Sequence, residues 1–430
     1  MPSTAKTSQK VGKPYFTING NKKLSGVIKI SGAKNSALVL MAASLLCEEK
    51  LIISNIPQLT DIYGMKNILT ELGANVDLQN HQVSIQCNNL RYLELPYDLV
   101  KGLRASFFCI GPLLAKLGKA RIPLPGGCQI GARPVIEHIK GLKALGANIY
   151  VEHGVVNASV SGSKRRLKGA DIVLDCPSVG ATETLIMAAA MAEGITTIEN
   201  AAQEPEVEDL ANMLNIMGAK IKGAGRRKLT IEGVKKLNGC SYKVIPDRIE
   251  AGTFLIAAAI TRSDLRIEPV IPEHLKAVTQ KLIDAGCLIT SDEKSINISS
   301  KRIIGVDITT QPYPGFPTDL QAPFMALMAT ANGNSIITEK IYENRMQHVS
   351  ELQRMGALIR IQGNTAVVEG VPGLSAAPVC GGDLRSAAAM TIASLSANGT
   401  SQVEGLNHLD RGYEEIEKKL NQAGANIIRT

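Results

Sequence analysis

The feature that most constrains the fold is a short motif that recurs six times: an apolar residue, Gly and a small residue before a β-like run. Successive copies lie 73, 72, 68, 70 and 68 residues apart, with their glycines at Gly73, Gly146, Gly218, Gly286, Gly356 and Gly424. The residues before each glycine carry helical periodicity, and a glycine there supplies the left-handed turn that ends a helix. Each repeat therefore predicts a helix, a turn and a hairpin with one buried face.

A second repeat interleaves with the first. Six Ala-rich segments lie near residues 36–47, 105–117, 181–193, 251–261, 321–331 and 385–397. They are apolar on most faces, which is typical of helices buried inside a domain. Six such units predict the α/β class, as a two-domain inside-out α/β barrel with three units per domain, buried helices within and sheets outside.

The first β-like run, Tyr15 to Ile30, precedes the first complete unit and resembles the last strand pair of one. We expect it to complete the C-terminal domain, so that the chain crosses between domains twice, near residues 31–35 and 245–249. The expected division is a tail and completing strands over 1–34, one three-unit domain over 35–246 and another over 247–430. The polar, aperiodic residues 1–13 are typical of a tail.

Composition narrows the function classes. The 430 residues carry a net charge of +8, which suits an anionic substrate, nucleic acid or no specific partner. The chain has no Trp and only six Phe, which argues against stacking on nucleic-acid bases. Eight scattered cysteines without CxxC predict reduced thiols in the cytoplasm. The longest apolar run is too short for a membrane span. We expect no membrane, nucleic acid, metal or cofactor, and the sequence does not identify a protein partner.

Ten short motifs follow one another along the chain: Ser31-Gly-Ala-Lys34-Asn35, Arg104-Ala-Ser, Pro125-Gly-Gly-Cys128-Gln-Ile-Gly-Ala-Arg133-Pro-Val, Ser178-Val-Gly-Ala-Thr182, Glu204-Pro-Glu206, Pro246-Asp-Arg248-Ile-Glu250, Phe316-Pro-Thr-Asp319, Glu343-Asn-Arg345, Asp383-Leu-Arg385 and His408-Leu-Asp-Arg411-Gly-Tyr. In this order they resemble the UDP-N-acetylglucosamine enolpyruvyl transferases. The resemblance implies the two-domain enolpyruvyl transferase fold. It also implies transfer of the enolpyruvyl group of phosphoenolpyruvate to the 3-hydroxyl of UDP-N-acetylglucosamine, the first committed step of peptidoglycan precursor synthesis.

The resemblance also assigns the site residues. Phosphoenolpyruvate carries a phosphate and a carboxylate, which convergent cations recognise best; the residues implied for it are Lys34, Asn35, Arg133, Arg385 and Arg411. Those implied for UDP-N-acetylglucosamine are Arg104, Arg133, Pro134, Val135, Ser178, Val179, Asp319 and Ile341. The implied catalytic residues are Cys128, Asp319, Lys34 and Arg411.

Two of these residues carry the chemistry. Cys128 lies in a Gly-rich stretch, suited to a lid, and Arg133 five residues on favours its thiolate. The resemblance implies that Cys128 is the acid at C3 of phosphoenolpyruvate and a nucleophile able to form an adduct; the sequence leaves open whether it acts mainly as this acid or in product release. Asp319 is implied as the base for the sugar hydroxyl. From the residues alone, a structural thiol and a helix N-cap remain open alternatives.

One position departs from the family pattern: Ile136, followed by Glu137, stands where many members have an Asp near the uridine. A catalytically silent paralogue that binds the nucleotide sugar is therefore one alternative. The sister enzyme acting on shikimate 3-phosphate is another, although its members lack the Pro-Gly-Gly-Cys loop. A basic repeat protein that binds nucleic acid or another partner is the third.

Overall fold

The computed structural model describes residues 13–126, 130–131, 134–162 and 166–430. The α-helices in these ranges are α1 (Lys34–Ala43), α2 (Thr60–Glu71), α3 (Tyr97–Val100), α4 (Ile110–Leu117), α5 (Ile136–Ala144), α6 (Val179–Ala189), α7 (Pro205–Ile216), α8 (Arg248–Ile260), α9 (Lys276–Asp284), α10 (Gln321–Met328), α11 (Val349–Arg354), α12 (Leu384–Ser396), α13 (Leu406–Leu409) and α14 (Ile416–Gln422). Short 3₁₀ helices cover Ser44–Leu46, Arg104–Cys109, Pro272–Leu275 and Thr318–Leu320.

The strands are short and regularly spaced: β1 (Tyr15–Asn19), β2 (Val27–Lys29), β3 (Leu51–Ser54), β4 (Asn75–Gln79), β5 (Gln82–Gln86), β6 (Lys119–Pro123), β7 (Ala147–Glu152), β8 (Val155–Val160), β9 (Asp171–Val173), β10 (Ile195–Glu199), β11 (Lys220–Lys222), β12 (Lys228–Glu232), β13 (Ser241–Lys243), β14 (Asp264–Glu268), β15 (Leu288–Ser291), β16 (Ile296–Ser299), β17 (Ile308–Thr309), β18 (Asn334–Thr338), β19 (Leu358–Gln362), β20 (Thr365–Glu369), β21 (Pro378–Cys380), β22 (Thr400–Glu404) and β23 (Ile427–Arg429). The described residues are thus a mixed α/β fold, as the repeats predict.

The repeated glycines end six helices. Each lies two residues beyond the last residue of α2, α5, α7, α9, α11 or α14 and has a positive φ, between 89° and 103°. A left-handed residue at this position lets its N–H and that of the next residue bond the last carbonyls of the helix. The helix-ending turn predicted from the motif is therefore confirmed at all six positions.

The Ala-rich segments form the centre of the fold. They correspond to α1, α4 with its preceding 3₁₀ turn, α6, α8, α10 and α12. In α12, for example, every residue from Arg385 to Leu395 is buried, so the helix has no solvent-facing side. Because alanine side chains are small, neighbouring helices can approach closely, and α4 packs on α6 as α10 packs on α12.

The strands form six small sheets around these helices. Five have four strands, and the sixth has three. Their orders are β13-β3-β5-β4, β6-β8-β7, β11-β12-β10-β9, β15-β16-β14-β2, β17-β18-β20-β19 and β21-β22-β1-β23. In the three-stranded sheet, an isolated parallel bridge between Glu94 and Arg121 stands where the other sheets have a parallel edge strand.

The buried hydrophobic residues form two clusters, which define two lobes. The first lobe is built on residues between Ala33 and Val244, and the second on residues up to Ile30 together with those from Ile249 onward. Both connections run side by side: Gly32 bridges Pro246, and the backbone N–H of Ala33 donates to the carbonyl oxygen of Ile245 at 2.8 Å. Two adjacent crossings restrict how one lobe can move against the other.

None of the helices in the described ranges is long and apolar enough to cross a membrane.

Candidate active site

The site begins where the chain crosses into the first lobe. Lys34 is the first residue of α1, and its backbone N–H donates to Oδ2 of Asp247 at 3.1 Å. Asp247 also caps the start of α8, since its Oδ1 accepts from the N–H groups of Ile249 and Glu250. One aspartate therefore fixes the first turns of two central helices, and Lys34 projects from this junction.

The Lys34 side chain faces charges from both lobes. Its Nζ lies 3.3 Å from Oδ2 of Asp61, and only 12% of the side chain is exposed. Burial lowers the pKa of Lys34 below its usual value, because the charged form loses hydration. Asp61 and Asp319 oppose this shift in the pKa of Lys34, whereas Arg385 and Arg411 add to it. These five side chains therefore act on one another electrostatically.

Arg411 brings the second lobe to Asp61. Its Nε donates to Oδ1 of Asp61 at 2.8 Å, and its Nη2 lies 3.5 Å from Oδ2. Asp61 belongs to the first turn of α2 and is buried, with 7% of its side chain exposed. One carboxylate thus contacts Lys34 from its own lobe and Arg411 from the other.

Asp319 is held by two guanidinium groups. Arg345 Nη2 donates to its Oδ1 and Arg385 Nη2 to its Oδ2, each at 2.7 Å. Burial alone would raise the pKa of Asp319, but the two arginines outweigh it and hold the pKa of this carboxyl well below its usual range. The helix-cap alternative for Asp319 is wrong, because its carboxylate bonds these arginines and Pro317 occupies the cap position.

Glu339 stabilises the turn that contains Asp319. Its Oε1 accepts from the Thr310 hydroxyl at 2.7 Å and from the Ile341 N–H at 2.8 Å. Its Oε2 accepts from the hydroxyl of Thr318, the residue before Asp319, at 2.9 Å. Ile341 is therefore held in a loop that is tied to the Asp319 turn.

Three separate segments meet at the N-terminus of α6. His138 packs edge-on against Phe107, with ring centroids 5.2 Å apart, and a Cβ on Gly180 would lie 3.1 Å from His138 Nε2. Burial lowers the pKa of His138 to about 3, with a further contribution from the charge of Arg104. Three segments are therefore neighbours: those that contain Arg104, Pro134 with Val135, and Ser178 with Val179.

Ile136 and Glu137, where the sequence departs from the family pattern, differ in their surroundings. Ile136 is exposed over 63% of its surface, whereas Glu137 is buried. Glu137 Oε2 accepts from the backbone N–H of Asp175 at 2.9 Å. Ser178 follows shortly after as the N-cap of α6, its Oγ accepting from Ala181 N–H at 3.4 Å. Glu137 thus ties together the two segments assigned to the nucleotide.

Cys128 and Arg133 lie outside the described residues. The described residues between them contact the second lobe: the carbonyl oxygen of Ile130 accepts from Asn344 N–H at 3.0 Å. Gly131 has a φ of +138°, which other residues rarely adopt, and a Cβ there would lie 3.2 Å from the backbone N of Glu343, so glycine is favoured. This stretch of the first lobe therefore packs against the loop that precedes Arg345.

The sequence-predicted residues thus divide into groups. Lys34, Asp319, Arg385 and Arg411 converge, Asn35 is the exposed residue that follows Lys34 in α1, and the nucleotide segments gather at α6. Sequence reasoning missed Asp61, His138 and Glu339, and it noted Glu137 only as the residue that follows Ile136. Asp61 resembles an ordinary acid in a first helical turn, so no local signal distinguished it. In the described part of the chain, no cluster of three or more His, Cys, Asp or Glu could hold a metal ion.

The comparisons identify the class of protein. The family model of EPSP synthase (3-phosphoshikimate 1-carboxyvinyltransferase) matches residues 18–420. The crystal structure of the enolpyruvyl transferase NikO from Streptomyces tendae superimposes with a TM-score of 0.86 at 24% identity, over 97% of this chain and 99% of that one. An EPSP synthase from Acinetobacter baumannii gives 0.76 at 20% identity, over 97% and 100%. The fold is that of the enolpyruvyl transferases.

Curated relatives narrow the class. A UDP-N-acetylglucosamine 1-carboxyvinyltransferase of Prochlorococcus marinus (strain MIT 9313) is 67% identical over 429 residues, covering 100% of this chain and 99% of the relative. One of Parasynechococcus marenigrum (strain WH8102) is 65% identical over 430 residues, with the same coverage. The chain therefore belongs to the UDP-N-acetylglucosamine 1-carboxyvinyltransferase family.

Proposed function

We propose that the chain transfers the enolpyruvyl group of phosphoenolpyruvate to the 3-hydroxyl of UDP-N-acetylglucosamine and releases phosphate. The observation that carries this proposal is the convergence of Lys34, Arg385 and Arg411 with Asp319 at the junction of the lobes. Three cations there can bind a small anionic substrate, and of the two carboxylates among them, Asp61 and Asp319, Asp319 can accept a proton from the reaction partner. We also propose the two lobes as the two domains, divided at residues 34/35 and 246/247.

Phosphoenolpyruvate has two anionic groups about one carbon skeleton, and each needs its own cationic partner. Lys34 supplies a point charge, and the arginines supply planar pairs of donors. In the proposed complex, Lys34, Arg385 and Arg411 bind these groups together with Asn35 and Arg133, as the family resemblance implies. Because the cations come from both lobes, a bound substrate would hold the two lobes together.

The nucleotide would lie at the α6 N-terminus. Free backbone N–H groups and the helix dipole at such an end favour a diphosphate. Arg104 supplies positive charge beside it, and Pro134, Val135, Ser178 and Val179 form the neighbouring backbone. Ile341, on the loop held by Glu339, would contact the sugar, which places the 3-hydroxyl toward Asp319.

The reaction proceeds in two stages. The 3-oxygen bonds to C2 of phosphoenolpyruvate while C3 takes a proton and the hydroxyl loses one. The C2–O bond to phosphate then breaks, C3 loses a proton, and the double bond is restored. Asp319 is proposed as the base and Cys128 as the acid at C3, also able to form an adduct through its sulfur.

The pairing of Asp319 bears on its role as a base. A carboxylate bonded to Arg345 and Arg385 is fully ionised, but it is also a weak proton acceptor. An anionic group of phosphoenolpyruvate that bonds Arg385 would compete with Asp319 for that guanidinium. Binding of the second substrate would thereby increase the basicity of Asp319 toward the 3-hydroxyl.

Phosphate release tests the function directly. We expect purified protein to liberate phosphate from phosphoenolpyruvate only when UDP-N-acetylglucosamine is present. Release with shikimate 3-phosphate instead would identify the sister activity, and tight nucleotide-sugar binding without release would identify a silent paralogue. The free thiols of all seven described cysteines support placing this reaction in the cytoplasm, where it would begin peptidoglycan precursor synthesis.

A further inference from the structure

Asp61 connects the cations of the two lobes. The distance from its Oδ2 to Lys34 Nζ is 3.3 Å, and that from its Oδ1 to Arg411 Nε is 2.8 Å. Lys34 belongs to the first lobe and Arg411 to the second. Without an intervening negative charge, the largely buried Lys34 and the partly exposed Arg411 would repel each other across the junction.

The backbone fixes Asp61 in this position. The N–H of Thr60, the residue before it, donates to the carbonyl oxygen of Asp410, the residue before Arg411, at 3.2 Å. The start of α2 is thus joined to the Arg411 segment twice, through the backbone and through the side chains. Asp61 also lies in the first turn of α2, where the helix dipole stabilises a carboxylate.

The contact leaves part of each cation available. Arg411 uses Nε and Nη2 toward Asp61, and its Nη1 makes no hydrogen bond with the described residues. Lys34 Nζ has three hydrogens, and among described residues only Asp61 accepts one. Both cations therefore keep donors that an anion placed between them could use.

We propose that Asp61 is a positioning residue for phosphoenolpyruvate: it sets the spacing of Lys34 and Arg411 so that both cations bind the same substrate. This inference rests on the proposed function and extends it, since Asp61 acts through its two partners and not on the reacting atoms. The segments proposed to bind the nucleotide at the N-terminus of α6 contain neither Lys34 nor Arg411. Binding of UDP-N-acetylglucosamine therefore depends little on Asp61.

Asp61 also holds the proton on Lys34. The charged groups that face Lys34 come from several elements, namely Asp61 on α2, Asp247 before α8, Asp319 in its 3₁₀ turn, Arg385 on α12 and Arg411 after α13. Burial lowers the pKa of Lys34 and Asp61 raises it. A neutral residue at position 61 therefore lowers the pKa of Lys34 further, and Lys34 loses its charge at a lower pH.

The test compares Asp61→Asn with wild type by calorimetric titration of each substrate. Loss of charge-assisted hydrogen bonds predicts that phosphoenolpyruvate binds about tenfold to a hundredfold more weakly, while the Kd for UDP-N-acetylglucosamine stays within about threefold. The alkaline limb of the pH profile, over which the affinity for phosphoenolpyruvate falls as pH rises, moves to lower pH in this variant. An equal loss of affinity for both substrates, or an unmoved alkaline limb, overturns the proposal.

A matched control is Asp209→Asn. Asp209 is a buried aspartate of the same lobe that bonds the hydroxyls of Ser36, on α1, and of Tyr242. Its replacement removes a buried carboxylate beside α1 without touching Lys34 or Arg411. We expect lower thermal stability and an unchanged affinity for phosphoenolpyruvate. The same loss of affinity as in Asp61→Asn would attribute the effect to α1 packing and overturn the proposal.

Asp61→Glu tests position separately from charge. It keeps the charge and moves the carboxylate by one methylene, so the alkaline limb stays near its wild-type pH while phosphoenolpyruvate binds more weakly. Wild-type affinity in this variant contradicts the proposal even if Asp61→Asn does not fold. Because the titrations need no turnover, they report on Asp61 whether or not the wild-type protein releases phosphate.

Discussion

Arg385 Nη2 lies 2.7 Å from Asp319 Oδ2, so a residue proposed to bind phosphoenolpyruvate and the residue proposed as the base neutralise each other. Arg385 is buried, with 7% of its side chain exposed, and its second nitrogen donates to the Tyr413 hydroxyl at 3.1 Å. A buried guanidinium needs a counter-ion, and Asp319 provides one for Arg385.

Asp319→Asn is expected to reduce turnover by about 10²–10⁴-fold, the usual contribution of a general base. The KM for UDP-N-acetylglucosamine should change far less, because Asn keeps the shape and one acceptor oxygen. Rapid-quench and steady-state measurements of phosphate release provide the comparison. Turnover within about threefold of wild type would remove Asp319 from the mechanism, since base loss costs far more.

The same variant should also lose stability. From sequence alone, an aspartate in a turn tolerates replacement by Asn with little loss, but the structure changes this expectation. Asp319 is the counter-ion of Arg345 and Arg385, both almost fully buried. We expect a loss of about 1–3 kcal/mol in the free energy of unfolding, and partial recovery on adding phosphoenolpyruvate. An unchanged denaturant midpoint would contradict this role.

Arg411→Ala is expected to weaken phosphoenolpyruvate binding by about tenfold to a hundredfold, from the loss of charge-assisted hydrogen bonds. The affinity for the nucleotide sugar should stay nearly constant. Arg266→Ala is a suitable control, because Arg266 pairs with Glu268 and Asp292 on an exposed sheet. Equal losses for both substrates in Arg411→Ala would mean that Arg411 acts on lobe closure in general.

The pKa of Lys34 predicts a pH dependence. Lysine is charged below its pKa, and burial lowers that pKa, so phosphoenolpyruvate affinity should fall as pH rises through it, below the usual range for lysine. Lys34→Arg keeps its charge throughout this range and should abolish the alkaline limb even if its overall affinity is lower. If the affinity of Lys34→Arg still fell over the same pH range, the titrating group would be a residue other than Lys34.

Cys128 should be the thiol that the epoxide fosfomycin alkylates first, and saturating UDP-N-acetylglucosamine should accelerate this reaction. Burial raises the pKa of all seven described cysteines, to about 11 for Cys87 and about 12 for Cys109. Thiols with raised pKa values carry little thiolate at neutral pH and react slowly. Peptide mapping after brief exposure provides the measurement, and preferential labelling of exposed Cys176 or Cys380 would contradict the assignment.

The repeats predicted the fold because each one carries its own signal. A glycine such as Gly73 accepts the positive φ that ends a helix, and the Ala-rich helices are apolar on most faces, so both features are local. The site is different. Asp61 and Arg411 are separated by 350 residues, and nothing near either one indicates a partner. The family resemblance predicted the cations and Asp319, whereas Asp61, which bonds both Lys34 and Arg411, was found only in the structure.

The placement of β1 has a consequence for biosynthesis. This strand lies between β22 and β23, and the backbones of Tyr15 and Thr430 exchange hydrogen bonds at 3.1 and 3.0 Å. At ribosomal speeds its partners follow on the order of tens of seconds later, whereas every residue of the first core precedes residue 245. Among the strands of the described residues, β1 comes first in the chain and is among the last to be paired, so a chaperone that shields β1 during translation would aid the second lobe but not the first.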